Sequence, residues 1–159
     1  MTHLVVGRWG ARFGRRHLPC AIGRSGIGAK RAEGDGITPR GAWRVEAVWF
    51  RPDRLRVHGR AILPRDAWSD DPRDPRYNQP VRLPHPFGHE RLRRPDPLYD
   101  LLAVLDFNRP RPVPGAGSAI FLHVWRGPRL PTAGCIAFRR ADLLWLLARW
   151  KPRSRVIVR

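Results

Sequence analysis

Cysteine is scarce in this chain of 159 residues: Cys20 and Cys135 are the only two. Two thiols cannot build a disulfide scaffold or supply a zinc ribbon. Lysine is as rare, with Lys30 and Lys151 set against 29 arginines. Long apolar runs are missing as well. None approaches the roughly 20 residues that a membrane-spanning helix needs. The first apolar stretch, residues 4–6, stops at Gly7, too short for the hydrophobic region of an export signal. The residues after Arg15-Arg16 are no better, so no clear signal peptide is present. Acidic residues are outnumbered, 13 Asp and Glu facing 31 Lys and Arg, for a net charge of +18.

What is there suffices for a folded domain. Apolar residues make up 42% of the chain and include seven tryptophans, enough for a real core despite 17 prolines. The length suits a single domain over 1–159. The charge draws the chain towards polyanions, whether nucleic acid, acidic lipid or an acidic wall polymer. The arginines are scattered, however, and no basic helix, RNP-type aromatic motif or Cys/His finger accompanies them. A bias towards arginine codons would account for them equally well.

Short apolar runs at 4–6, 42–50, 55–58, 101–107, 119–125 and 156–158 predict strands. In the second, Trp43, Val45, Ala47 and Trp49 alternate with Ala42, Arg44, Glu46 and Val48, placing mainly apolar side chains on one face. Residues 141–150 predict the one helix, with a leucine and tryptophan stripe, Asp142 in the first turn and Pro152 beyond the end. The fold class is therefore mainly β with a C-terminal helix. The polar, proline-rich stretch at 66–96 reads as a long central loop, a lid if it is ordered.

The strongest chemical signal is His123 in the strand Ile120-Phe121-Leu122-His123-Val124-Trp125, with Cys135 following the turn Pro131-Thr132-Ala133-Gly134. A thiol near its ordinary pKa is mostly protonated at neutral pH, so a nucleophilic cysteine needs such a base. The imidazole can take the proton and return it to a leaving amine. Gly134 lets backbone approach a substrate, and amides around Cys135 can serve an oxyanion. Two ordinary core residues would leave the same trace.

The segment from His123 to Phe138, with Thr132-Ala133-Gly134-Cys135 at its centre, resembles the active-site signature of YkuD-type L,D-transpeptidases. Glu33-Gly34-Asp35-Gly36-Ile37-Thr38-Pro39-Arg40-Gly41-Ala42-Trp43 is similar to that family's glycine-rich turn and hairpin. Tyr77-Asn78, Asp96-Pro97-Leu98-Tyr99-Asp100, Asn108 and the approach Gly117-Ser118-Ala119 resemble its short, leaderless branch from alpha- and betaproteobacteria. The resemblance implies a β-sandwich or barrel-like catalytic domain that crosslinks peptidoglycan stem peptides, donor to acceptor, with no cofactor. It implies Cys135 as nucleophile, His123 as base and acid, and Gly134 with Cys135 at the oxyanion. Thr132 and Ala133 would contact substrate. The branch is associated with L-Ala–diaminopimelate links.

Two positions depart from the pattern. Ala133 stands where many members have histidine, and Ala137 where many have an arginine, for which Arg139 is the substitute candidate. Weaker candidates for substrate contact are Trp125, Tyr99, Asn108 and His89, which with Glu90 would line the cleft from the long central loop. His85 and His89 are four apart, but Pro86 and Gly88 argue against a helix presenting both, so no metal is expected. The expected partners are stem peptides and an anionic wall polymer rather than nucleic acid, with a monomer acting in the periplasm or wall. An L,D-carboxypeptidase or amidase using water is the alternative, and a non-enzymatic polyanion binder the third reading.

Overall fold

A computed structural model describes the whole chain, Met1–Arg159. Its two main sheets share one core. The first has five strands in the order Arg16–Leu18, Gly10–Phe13, Leu4–Gly7, Val156–Val158 and Gly41–Trp43. Leu4–Gly7 and Val156–Val158 run parallel, joining the two ends of the chain. The second has six, in the order Cys20–Ala21, Ile136–Phe138, Phe121–Val124, Leu101–Leu105, Val45–Phe50 and Arg60–Ala61. No helix is long and apolar enough to cross a membrane.

Alternation along the six-stranded sheet decides where the chemistry sits. Leu101, Ala103, Leu105, Leu122, Val124, Ile136 and Phe138 enter the larger core, with the helix and the five-stranded sheet. The intervening Leu102, Val104 and Phe121 enter a second core, against which Cys135 packs. Successive side chains on a strand point to opposite faces, so His123 lies on the face away from Leu122 and Val124.

Several expectations need correcting. Residues 42–50 do not form one strand: Gly41–Trp43 belongs to the first sheet and Val45–Phe50 to the second. A register shift at Val104/Leu105 leaves Glu46 unpaired, as in a β-bulge. The bulge reverses the alternation, so Trp43 and Val45 pack on the larger core while Ala47 and Trp49 pack on the smaller. Residues 55–58 are not a strand; the pairing segment is Arg60–Ala61. The helix is Arg140–Leu147, shorter than predicted, because Arg149 and Trp150 tighten into bonds with carbonyls three residues back. Its buried Asp142 pairs with Arg16 at 2.9 Å and Arg139 at 3.2 Å.

The stretch at 66–96 is not a loop. It folds into an antiparallel sheet, Pro80–Arg82, Asp66–Ser69 and His89–Arg91, with Trp68 and Leu92 buried in the second core. Asn78 is buried beneath it and accepts a hydrogen bond from the Trp68 indole at 3.0 Å. The prolines punctuate three short strands instead of preventing them.

Candidate active site

His123 sits on Phe121–Val124, which runs parallel to Ile136–Phe138. Its Nδ1 lies 2.8 Å from the carbonyl of Val124. A carbonyl can only accept, so Nδ1 carries the proton and the neutral ring keeps its lone pair on Nε2. Tyr99 stands edge-on to the imidazole, with centroids 5.4 Å apart, and its hydroxyl donates to Glu90.

Cys135 is presented by the turn that Thr132 organises. The Thr132 hydroxyl accepts from the Gly134 amide at 3.0 Å and donates to the Cys135 carbonyl at 2.6 Å. Gly134 has φ of 144°, where side chains are strained, and an added Cβ would stand 2.9 Å from the Ile37 carbonyl. Thr38–Pro39 is not part of a hairpin but pairs parallel with Ile27–Gly28, and Thr38 donates to the Gly134 carbonyl and accepts from the Gly23 amide, both at 2.8 Å. Because Thr132 already holds the Gly134 amide, that group is not free for an oxyanion. The Cys135 amide makes no hydrogen bond and is free to serve one.

The thiol itself is clasped by backbone. It donates to the Ala119 carbonyl at 3.1 Å and accepts from the Phe121 amide at 3.3 Å. Ala119 has φ of 53°, a left-handed conformation unusual for alanine, and Asn78 Oδ1 accepts its amide at 3.0 Å. Burial pushes the Cys135 thiol up to about 12 and the His123 imidazole down to about 4. Both groups therefore rest neutral. Glu90 opposes the thiolate further, while Lys30 and the Phe121 amide favour it.

Cys135 and His123 share a cavity of about 150 Å³ with Tyr99, Glu90, Arg94 and Arg126. Thr132 and Ala133 also line it. Four other candidates lie elsewhere. The Arg139 guanidinium is on Asp142 at the helix start, and the cavity cations are Arg94 and Arg126. Trp125 is half-buried outside the cavity. Asn108 instead braces the chain leading to Ala119, donating to the carbonyls of Val113 at 3.0 Å and Gly117 at 2.9 Å. The His89 imidazole bonds to the Phe87 carbonyl, while the next residue, Glu90, reaches the cavity.

Arg94 and Arg126, which no sequence motif marks, line the cavity beside Glu90, and Glu90 comes from a strand rather than from the loop expected there. Cys20 packs with Phe138 in the larger core, apart from Cys135, and both thiols are free. His85 is held by Asp74 at 2.6 Å, and no three His, Cys, Asp or Glu side chains come together as a metal site.

A thiol, a base of fixed tautomer and a free amide in one small cavity suit acyl transfer. A family model described as the YkuD L,D-transpeptidase catalytic domain matches residues 5–158. The chain belongs to the L,D-transpeptidase family. Searches of curated proteins and of solved structures returned no match. Within the L,D-transpeptidase domain, the site lies on the sheet face opposite the larger core, and its walls come from Glu90 of the three-stranded sheet, the segment 94–99 that follows it and the loop 126–133.

Proposed function

We infer that this L,D-transpeptidase crosslinks peptidoglycan stem peptides through a Cys135 thioester. The observation that carries the reading is the shared cavity, in which His123 Nδ1 is committed to Val124 and Nε2 is left to move a proton. Nε2 takes the thiol proton as Sγ leaves Ala119 and bonds to the stem carbonyl carbon. The Cys135 amide receives the oxyanion. As the carbon–nitrogen bond breaks, the imidazolium returns the proton to the leaving amine. The amine of a neighbouring stem then attacks the thioester, gives its proton to Nε2 and displaces the thiolate, which is reprotonated.

Arg94 and Arg126 suit the carboxylates of the stem, and Glu90 suits an ammonium group. The donor carbonyl belongs to an L-centre, and the product is an L-Ala–diaminopimelate link formed in the wall outside the cytoplasmic membrane. Incubation with purified muropeptides is expected to give crosslinked dimers by mass spectrometry, absent with Cys135→Ala. Equal dimer yield from both proteins would refute the mechanism. Shortened monomers without dimers would assign water as the acceptor.

A further inference from the structure

The cavity that holds Cys135 is not the roomiest on the molecule. Two larger concavities, of about 470 Å³ and 650 Å³, share Arg8, Trp9 and Arg159. The first adds Arg12 and Arg129, the second Arg24 and Arg40. No Asp or Glu lines either one. None of these six exposed arginines takes part in an ion pair.

Trp9 is unusual in its own right. Gly7 pairs with Gly10, so Arg8 and Trp9 are the two loop residues of a tight hairpin. Trp9 is 75% exposed, and no other aromatic side chain is so uncovered. The Arg8 guanidinium stands over the ring, 4.9 Å from its centroid. An indole left in water forgoes the burial that makes tryptophan valuable. Here it offers an open face, rimmed by unneutralised cations.

The groove also adjoins the chemistry. One loop, residues 126–133, sends Arg126, Leu130 and Thr132 to the Cys135 cavity and Arg129 to the Trp9 side. Thr132 is tied to the other concavity by backbone bonds, its amide to the Ile22 carbonyl at 3.0 Å and its carbonyl to the Arg24 amide at 2.9 Å. Ile22 and Arg24 line that concavity.

We propose that the Trp9 groove binds the glycan backbone of peptidoglycan, with its arginines on stem carboxylates, and so holds the polymer while one stem enters the Cys135 cavity. The identity of the polymer rests on the transpeptidase reading above. The indole face carries negative charge density that suits the C–H face of a pyranose ring. Arginine forks suit carboxylates. A nucleic-acid strand is the poorer fit, since successive bases need a series of aromatic platforms and Trp9 stands alone.

The test measures binding without turnover, in a Cys135→Ala background, by co-sedimentation with insoluble peptidoglycan. Trp9→Ala is expected to weaken binding about tenfold, and Trp9→Phe to retain most of it. Arg8→Ala with Arg159→Ala is expected to weaken it and to flatten its salt dependence. Thermal melting checks that these exposed substitutions leave the fold intact.

Unchanged binding by Trp9→Ala, no binding by the parent, or tighter Trp9-dependent binding of single-stranded RNA would each overturn the proposal. Dimer formation on soluble muropeptides is measured separately, with Cys135 intact and Trp9→Ala beside the parent. Binding through Trp9 without any dimers would refute transpeptidation and leave the groove standing. Dimers with no sedimentation would do the reverse.

Discussion

The Tyr99 ring meets His123 edge-on, its plane 82° from that of the imidazole, while its hydroxyl reaches Glu90 on the cavity wall. One side chain thus packs the base and fixes the carboxylate. Tyr99→Phe keeps the ring and frees Glu90; it is expected to fold normally and to lose no more than about tenfold in dimer formation. Tyr99→Ala empties part of the second core and is expected to cost about 3–5 kcal/mol in denaturant unfolding.

The depressed pKa of His123 sets an acid limit. With the folded value near 4, Nε2 is unprotonated from about pH 5 upward, so the acid limb of kcat/KM is expected near pH 4 rather than near 6.5. Stability follows the same group. Between its ordinary value and about 4 the unfolded chain binds the proton and the folded chain does not. Stability is therefore full above about pH 6.5 and lost as pH falls towards 4, by up to about 3 kcal/mol. Urea titrations at pH 7, 5.5 and 4 would check it; a His123→Gln variant should show a flatter profile.

Thr132 is the keystone of the turn before the thiol, bonding both Gly134 and Cys135 through one hydroxyl. Thr132→Ser keeps that oxygen and is expected to retain most activity. Thr132→Val keeps the shape without the hydrogen bonds and is expected to lose at least about tenfold in rate, together with about 1–3 kcal/mol of stability. Acylation followed by intact-protein mass spectrometry separates the two.

Gly134 tolerates no side chain. Its φ of 144° and the 2.9 Å approach of the Ile37 carbonyl to an added Cβ mean that Gly134→Ala must displace the turn from the segment 33–39. Loss of acylation with a lowered melting temperature is the expected result.

Lys30 is almost completely buried, with 2% of its side chain exposed, and pairs with Asp35 at 2.6 Å. Against the desolvation of its site, the hydrogen bond from Lys30 and those from the amides of Ile37, Arg31 and Ala32 hold the Asp35 carboxyl well below the usual range. Lys30→Met leaves a partly buried carboxylate without its cation and is expected to destabilise the protein by about 2–4 kcal/mol. Lys30→Arg should fare little better, because the Lys30 chain lies against position 117, where only glycine leaves it room. Chemical denaturation of both variants would decide.

Much of the site is legible in the sequence because it is local. Thr132 to Cys135 form a contiguous turn, and His123 lies on the strand directly before it, so spacing alone brings them near. The rest depends on long-range pairing. Glu90 and Arg94 come from a stretch whose strands exist only as partners of Asp66–Ser69. Arg139 is drawn away by Asp142, a competition that proximity to Cys135 in sequence does not reveal. The face switch at Glu46 escaped for the same reason. An unbroken period of two predicts a flat strand, and a bulge is imposed by the neighbouring strand, not by the residues that bulge.

Val5 aligns with Ile157 in the parallel pairing of Leu4–Gly7 with Val156–Val158, and the latter strand lies between its two neighbours in the five-stranded sheet. Such a sheet closes only once Val156–Val158 is in place. The first strand meets its hairpin partner Gly10–Phe13 early, but its parallel partner Val156–Val158 lies far along the chain, so closing the sheet depends on distant contacts and is correspondingly slow. An incomplete chain lacks the strand that seals the larger core behind the six-stranded sheet, and with it the firm backing for His123 and Cys135.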